Sequence, residues 1–333
     1  MEIMPLDEPV GAIIDGVDLR DTPNKALIAK IKKCIHRYQV VIFQRQTFNA
    51  DQQLSFTKAL GPVRKRKLPE NYVIPASSYD TPGIAYVSNI RDENGIPTGV
   101  IPDGEMWFHH DTCYTDEPDK FTMLCAITVP RSGGNTMWCN MYDALDSMPA
   151  SLRQEIQGKR ALNVYDYATI EKPNLQNLDQ LEKAWQPAII THPTTGREAL
   201  FVNRLMTCQV EGMSLDESSV ILEQVFDHAE KKQFIYEHHW TAGDFIVWDN
   251  LSVTHARTHF KLGHDRRLRR SKVSGEKLTR SHQTMAPPST TNVCPLIKSL
   301  SGEAKCMQAP TKSSGSSERL IARACALATR RSF

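Results

Sequence analysis

One stretch of the chain, residues 107–114 with the sequence Trp-Phe-His-His-Asp-Thr-Cys-Tyr, contains His109 and Asp111 two positions apart. On a β-strand or at its end, that spacing points both side chains to one face. Far downstream, the segment Trp-Asp-Asn at 248–250 is followed by His255. Two histidines and one carboxylate are the usual ligand set of non-haem Fe(II) oxygenases, because they occupy one face of the ion and leave the other positions open. The sequence therefore predicts that His109, Asp111 and His255 bind Fe(II).

A His-x-Asp pair alone is weak evidence for a metal site, because both residue types are common in loops. The alternative is a histidine at a strand end beside an ordinary surface carboxylate. Three other features favour the metal site. Residues 106–108 are apolar and would keep the site partly dry, a Gly-Gly-Asn-Thr turn occupies 133–136, and arginines cluster at 266–270. Each of these features has a role in a single oxygenase mechanism.

Hydrophobic periodicity and turn residues predict many short strands and few helices, which is typical of an antiparallel barrel or sandwich. The segment 214–228 begins with Ser214, and Glu217 lies three residues on, at the spacing of a capping box. The predicted helices are 25–38, 50–60, 142–156 and 214–228, and the predicted strands are 40–43, 84–90, 122–129, 136–140, 188–192, 199–203, 245–248 and 268–273. The polar loop 91–104 is predicted to be an active-site lid.

The order of these motifs resembles the TauD/TfdA family of Fe(II)- and 2-oxoglutarate-dependent dioxygenases. The resemblance covers about five-sixths of the chain, with matching segments at 9–12, 16–19, 40–44, 109–111, 130–136 and 243–250. It implies a mainly β fold with flanking helices, and more specifically a double-stranded β-helix, or jelly roll. It also implies that Fe(II), 2-oxoglutarate, dioxygen and a small-molecule substrate are the partners. Family members commonly form dimers or tetramers, so the resemblance implies that this protein also forms a homo-oligomer.

In this family 2-oxoglutarate chelates the iron, and an arginine and a hydroxyl group bind its distal carboxylate. Thr136 stands at the family's hydroxyl position, after the turn at 133–134. Arg266 lies eleven residues after His255, within the family's spacing for the arginine. An arginine fork is the strong partner for a carboxylate. A shift of one residue in strand register would make Arg267 the cosubstrate ligand instead.

Side chains of the basic strand are predicted to alternate between its two faces. Arg266, Leu268 and Arg270 would face the interior. Arg267 and Arg269 would face solvent. In taurine dioxygenase-like enzymes the residue matching Arg270 binds the anionic group of the substrate. The resemblance therefore implies that the enzyme hydroxylates a small carboxylate or sulfonate and releases succinate and carbon dioxide.

Asn89 precedes the lid loop, and the sequence predicts either a polar contact with substrate or a turn residue at a strand end. Two rival functions stay open. One is a related oxygenase that acts on a neutral biosynthetic substrate, in which Arg270 has a structural role. The other is a catalytically silent jelly-roll protein that binds a metal or a small acid.

Length and composition indicate one enzyme domain, residues 1–280, followed by a basic tail at 281–333 that is predicted to be disordered because it is rich in Ser, Thr, Pro and Gly. The formal net charge of the chain is +2, but residues 276–333 alone have a net charge of +6, so the rest of the chain has a net charge of −4. A folded body with a negative net charge gives no reason to expect nucleic-acid binding. No apolar stretch is long enough to cross a membrane, and no secretory signal is recognisable. Eight cysteines without paired spacing favour free thiols and a cytoplasmic enzyme.

Overall fold

The computed structural model describes residues 1–21, 23–64, 81–100, 104–166, 172–261 and 263–280. The chain divides into two units, Met1–Gln283 and Thr284–Phe333. The predicted disordered tail at 281–333 lies outside the described residues, as do positions 101–103 of the predicted lid loop. None of the described helices is both long enough and apolar enough to cross a membrane.

The described residues form five α-helices with ends set by local chemistry. They are α1 (Lys25–Tyr38), α2 (Ala50–Leu60), α3 (Met141–Asp146), α4 (Ala150–Ile156) and α5 (Leu215–Ala229). Asn49 and Ser214 cap α2 and α5, each through a capping box with the residue three positions on. The bounds of α1 and α2 are those predicted, and the predicted capping box of α5 is confirmed.

The prediction of one helix over 142–156 is wrong, because the chain forms α3 and α4 there. Pro149 stands immediately before α4. Proline lacks the amide hydrogen that a continuous helix needs, and its ring disfavours helical backbone at the preceding residue. One helix therefore ends at Asp146 and a second begins at Ala150.

Sixteen strands form four sheets in the described part of the chain. They are β1 (Glu2–Pro5), β2 (Ala12–Asp15), β3 (Val40–Phe43), β4 (Ile84–Ser88), β5 (Met106–His109), β6 (Asp119–Thr128), β7 (Thr136–Asn140), β8 (Arg160–Tyr165), β9 (Glu182–Pro187), β10 (Ile189–Thr191), β11 (Glu198–Leu200), β12 (Thr207–Val210), β13 (Ile235–His238), β14 (Phe245–Asp249), β15 (Val253–Arg257) and β16 (Arg267–Ser274). The two larger sheets have the orders β1-β2-β3-β14-β6-β16-β4 and β13-β7-β15-β5, and the smaller ones are β12-β8-β9 and β10-β11. The predicted strands do not include β1, β2, β8, β9, β12, β13 or β15. Each of these strands has only four to six residues, which is too short for hydrophobic periodicity to identify reliably.

The two larger sheets pack against each other through buried side chains. Ile246 and Leu268 come from the seven-stranded sheet, and Trp138 and Val253 come from the four-stranded sheet. The opposite face of the seven-stranded sheet packs against α1 and α2. The opposite face of the four-stranded sheet packs against α3, α4 and α5. The prediction of a mainly β fold with flanking helices is confirmed, and the predicted iron ligands lie on or beside strands of the four-stranded sheet.

Candidate active site

The three predicted iron ligands lie together in the interior. His109 ends β5 and His255 lies in β15, and the antiparallel register of these strands places the two residues opposite each other. Their ring centroids are 4.1 Å apart. Asp111 follows two residues after His109, and its Oδ2 lies 4.0 Å from Nε2 of His255. All three side chains are buried, and one ligand atom from each lies within 4.8 Å of the others.

The chemistry of this trio fits an iron ion. Nδ1 of His109 lies 2.9 Å from the carbonyl oxygen of Trp107, so Nδ1 donates to that carbonyl and Nε2 keeps its lone pair. Burial lowers the pKa of His109, and it lowers the pKa of His255 well below its ordinary value. Both rings are therefore neutral near pH 7. Two neutral imidazoles and one carboxylate form the facial set that Fe(II) oxygenases use.

Polar groups surround both oxygens of the Asp111 carboxylate. The Thr122 hydroxyl donates to Oδ2 at 2.6 Å. Lys272 Nζ and Arg270 Nη1 lie 3.8 and 4.0 Å from Oδ1. Burial alone would raise the pKa of Asp111, but the pKa is lowered overall because the positive charges of Lys272 and Arg270 favour the carboxylate. The carboxylate is therefore ionised and ready to bind a cation.

A second group of metal-ligand type, His36, His192 and Asp249, does not fit a metal. Nδ1 of His36 and Nε2 of His192 lie 2.8 and 2.9 Å from the same oxygen of Asp249. Nδ1 of His192 accepts the backbone N–H groups of Thr194 and Thr195 at 3.2 and 3.1 Å. That nitrogen is therefore unprotonated, and the ring proton must sit on Nε2. Since Nε2 donates a hydrogen bond, it has no lone pair for a metal, and the cluster is a hydrogen-bonded crosslink.

Arg266 forms a candidate anion site beside the Gly133-Gly134 turn. Its side chain is buried, with 3% of the residue exposed, and its Nε donates to the Gly134 carbonyl at 3.0 Å. Burial lowers its pKa well below the ordinary value, and the charge of Arg257 adds to the shift. No acidic side chain among the described residues forms an ion pair with it. A buried cation without a counter-ion is unfavourable, so the site favours an anionic ligand.

Thr136 begins β7, two residues after Gly134, and its side chain is buried. Its Oγ1 accepts a hydrogen bond from Nε1 of Trp240 at 3.0 Å. An indole N–H can only donate, so the Thr136 hydroxyl hydrogen is left to point at another acceptor. The turn thus brings a hydroxyl donor and the Arg266 guanidinium to the same region.

Arg267 and Arg269, on β16, contact other partners. The Arg267 guanidinium lies over the Tyr86 ring, 4.1 Å from its centroid. The prediction that Arg269 faces solvent is wrong, because Arg269 is buried. Its Nε donates to Oε1 of Gln53 at 2.7 Å, and its Nη2 donates to the Phe48 carbonyl at 2.6 Å. Helix α2 and the segment before it cover this face of β16, which strand alternation alone does not reveal.

The side-chain amide of Asn89 forms two hydrogen bonds with backbone groups at and near Arg266. Its Oδ1 accepts from the Arg266 N–H at 2.7 Å, and its Nδ2 donates to the His264 carbonyl at 2.9 Å. The amide therefore fixes the chain that enters β16. A direct contact between Asn89 and substrate stays a prediction.

Sequence reasoning missed three polar residues next to the iron ligands: Thr122, Lys272 and Asn250. Lys272 could have been predicted, because it lies two residues after Arg270 on the same strand and therefore on the same face. Nothing in the sequence relates Thr122, on β6, to Asp111. The Trp-Asp-Asn motif draws attention to Asn250, but not to its partners.

Known proteins are similar to this chain over most of its length. The family described as "Taurine catabolism dioxygenase TauD, TfdA family" matches residues 2–272. An alpha-ketoglutarate-dependent 2,4-dichlorophenoxyacetate dioxygenase from Cupriavidus pinatubonensis is 27% identical over 285 residues, which cover 80% of this chain and 95% of that protein. An alpha-ketoglutarate-dependent sulfate ester dioxygenase from Pseudomonas putida is 27% identical over 83% of this chain and 90% of that protein.

The chain is also similar to a synthase and to a protein of known crystal structure. Pentalenolactone F synthase from Streptomyces avermitilis is 28% identical over 78% of this chain and 90% of that protein. The crystal structure of a taurine dioxygenase from Burkholderia xenovorans has a TM-score of 0.69 at 24% identity, covering 84% of this chain and 91% of that chain. That likeness supports a shared fold. With the family match over nearly the whole folded body, the chain belongs to the TauD, TfdA family of dioxygenases and is an oxidoreductase.

Proposed function

We propose that the protein uses Fe(II) and 2-oxoglutarate to hydroxylate a small anionic organic substrate that Arg270 binds, with release of succinate and carbon dioxide. The position of Arg270 carries this proposal. Its Nη1 lies 4.0 Å from Oδ1 of the iron ligand Asp111. A substrate anion bound there would hold its neighbouring carbon beside the metal.

His109, Asp111 and His255 would hold the iron. Bound Fe(II) together with 2-oxoglutarate supplies the activation of dioxygen, coupled to decarboxylation of the 2-oxoglutarate. The Thr122 hydroxyl fixes the orientation of the Asp111 carboxylate through its 2.6 Å hydrogen bond. The buried setting of the three ligands excludes bulk water from the reacting atoms.

Arg266 and Thr136 would bind the distal carboxylate of 2-oxoglutarate. Arg266 is a buried guanidinium that lacks an acidic partner among the described residues. Thr136 has its acceptor position filled by Trp240 and can donate its hydroxyl hydrogen. A guanidinium and a hydroxyl donor together satisfy the oxygens of one carboxylate.

An anionic substrate follows from the charges near Arg270. Asp111 is the acidic side chain that Arg270 approaches among the described residues, and Asp111 also faces Lys272. Once a metal binds Asp111, three cations share that carboxylate, and Arg270 gains from a second anion. Two relatives have anionic compounds in their names, 2,4-dichlorophenoxyacetate and a sulfate ester.

The competing possibility is a neutral biosynthetic substrate. It is tested by measuring succinate formed with carboxylates, sulfonates and sulfate esters, each beside a neutral amide or alcohol of similar size. We expect turnover with an anion, and we expect Arg270→Ala to raise its KM by the equivalent of about 1.5–3 kcal/mol, with 2-oxoglutarate affinity unchanged. Arg267→Ala is the matched control. Preferred turnover of a neutral compound, or an Arg270→Ala effect on stability alone, would refute the proposal.

We further propose that the two larger sheets form the double-stranded β-helix that the family resemblance implies. Support comes from their shared buried core and from the almost wholly antiparallel pairing within them. A cytoplasmic enzyme is supported by free thiols at Cys34, Cys113, Cys125, Cys139 and Cys208. The predicted homo-oligomer is tested by measuring the mass of the protein in solution.

A further inference from the structure

Asn250 lies in the turn between β14 and β15 and has no solvent exposure. Its side-chain amide contacts both peptide groups of the iron ligand Asp111. Oδ1 accepts from the Asp111 N–H at 2.8 Å, and Nδ2 donates to the Asp111 carbonyl at 3.0 Å. Nδ2 also donates to the Asp119 carbonyl at 2.8 Å. One amide therefore spans both ends of the loop 110–119.

The backbone of Asn250 strengthens this attachment. Its carbonyl accepts from Nδ1 of His110 at 2.8 Å, and its N–H donates to the Lys120 carbonyl at 3.0 Å. The side chain and backbone of one residue thus hold the loop from His110 to Lys120. These bonds use the peptide groups of Asp111 and leave its carboxylate oxygens free to bind a metal.

The loop needs an external hold because its backbone is strained directly after Asp111. Thr112 has φ of 55°, in the left-handed region. This conformation is unfavourable for a β-branched residue, and such conformations persist only where surrounding contacts over-determine them. The Asn250 amide supplies such contacts to the residue immediately before the strained position.

We propose that Asn250 is a positioning residue that sets the place of Asp111 relative to His255 and so keeps the iron site preformed. His255 lies five residues after Asn250 on the same turn and strand. The turn that leads to one iron ligand therefore grips the peptide groups of another. The inference rests on the iron site of the proposed function, and it adds a role for a residue that does not touch the metal.

The contacts make the effect specific to metal binding. Losing Asn250 removes three hydrogen bonds from the loop and lets Thr112 relax, which moves the Asp111 carboxylate away from His255. Folding alone can tolerate that movement, whereas a facial ligand set cannot. Partners of metal ligands typically contribute tenfold to a hundredfold to metal affinity.

The test is a Co(II) titration of metal-free protein, followed by the visible absorption of the bound ion. We expect Asn250→Asp, which keeps the shape but loses the Nδ2 donor, to weaken Co(II) binding by about tenfold to a hundredfold. Asn163→Asp is the matched control. Asn163 is also fully buried and its Nδ2 donates to the Ala161 carbonyl at 3.2 Å, in a different sheet. The control should lose thermal stability while keeping wild-type Co(II) affinity and absorption.

Two outcomes separate the inference from the function on which it rests. If wild-type protein binds Co(II) through His255 and Asn250→Asp binds it equally well, the positioning role is wrong and the iron site stands. If wild-type protein does not bind Co(II), or His255→Ala binds it as well as wild type, the iron site itself is wrong. Should Asn250→Asp fail to fold, Asn250→Ser is measured by the same criterion, since its hydroxyl cannot span both peptide groups of Asp111.

Discussion

Replacing Arg266 by alanine should abolish tight binding of 2-oxoglutarate. Arg266 is buried beside the Gly134 carbonyl, and its pKa is lowered by burial and by Arg257. Its guanidinium has no acidic partner among the described residues. The distal carboxylate of 2-oxoglutarate would supply that partner through two parallel charge-assisted hydrogen bonds.

The size of the loss follows from those two bonds. A hydrogen bond to a charged group contributes about 1.5–3 kcal/mol. Losing both should therefore cost at least ~3 kcal/mol, or roughly a hundredfold in Kd. Arg267→Ala should cost much less, because Arg267 stacks on Tyr86 and lies on the other face of the strand.

A thermal-unfolding assay on Mn(II)-loaded protein reads this difference without turnover. At 2-oxoglutarate concentrations of a hundred times the wild-type Kd, binding should stabilise the wild type and Arg267→Ala by about 2.7 kcal/mol. A variant that binds a hundredfold more weakly should gain only about 0.4 kcal/mol under the same conditions. If Arg267→Ala loses the stabilisation and Arg266→Ala keeps it, the register of the basic strand is wrong by one residue.

Three further outcomes are expected. A variant that ends at Gln283 should fold and turn over like the full chain, because every predicted site residue lies before the end of β16. Loss of soluble expression or of metal binding in this variant would contradict that expectation. Trp240→Phe should weaken 2-oxoglutarate binding by roughly twofold to tenfold, because the Thr136 hydroxyl loses the donor that orients it; unchanged affinity in the same titration would contradict the orientation. Burial alone would raise the pKa of Asp249, but hydrogen bonds from His192 and His36 outweigh it and hold the pKa at about 2, below the ordinary value of an aspartate. Its stabilising effect is therefore present above pH 4 and is lost as the pH falls toward 2, so urea unfolding should show an acid loss of ~2 kcal/mol that Asp249→Asn lacks.

Local chemistry made much of the fold predictable. The bounds of α1 and α2 follow from caps and apolar spacing that lie within a few residues. Pro149 is also visible in the sequence, yet the apolar spacing on both sides of it predicts one helix where two form. The proximity of His109 and Asp111, the proposed iron ligands, was predictable because they are two residues apart at a strand end.

Contacts between distant segments were not predictable in the same way. Arg269 is buried because α2 covers the outer face of β16, and Gln53, its partner, lies 216 residues away in sequence. Asn250 meets Asp111 across 139 residues. A period of two assigns a strand residue to a face, but it does not say whether that face meets solvent or a helix. Such contacts depend on how the layers stack.

The iron site is tested most directly by titrating metal-free protein with Fe(II) and 2-oxoglutarate without oxygen and recording the visible charge-transfer absorption of the complex. We expect this absorption for the wild type and its absence for Asp111→Ala and His255→Ala. We also expect succinate to form only when Fe(II) is present, which separates the enzyme from a silent metal-binding protein. Wild-type absorption together with full succinate formation in Asp111→Ala would contradict the assignment of the ligands.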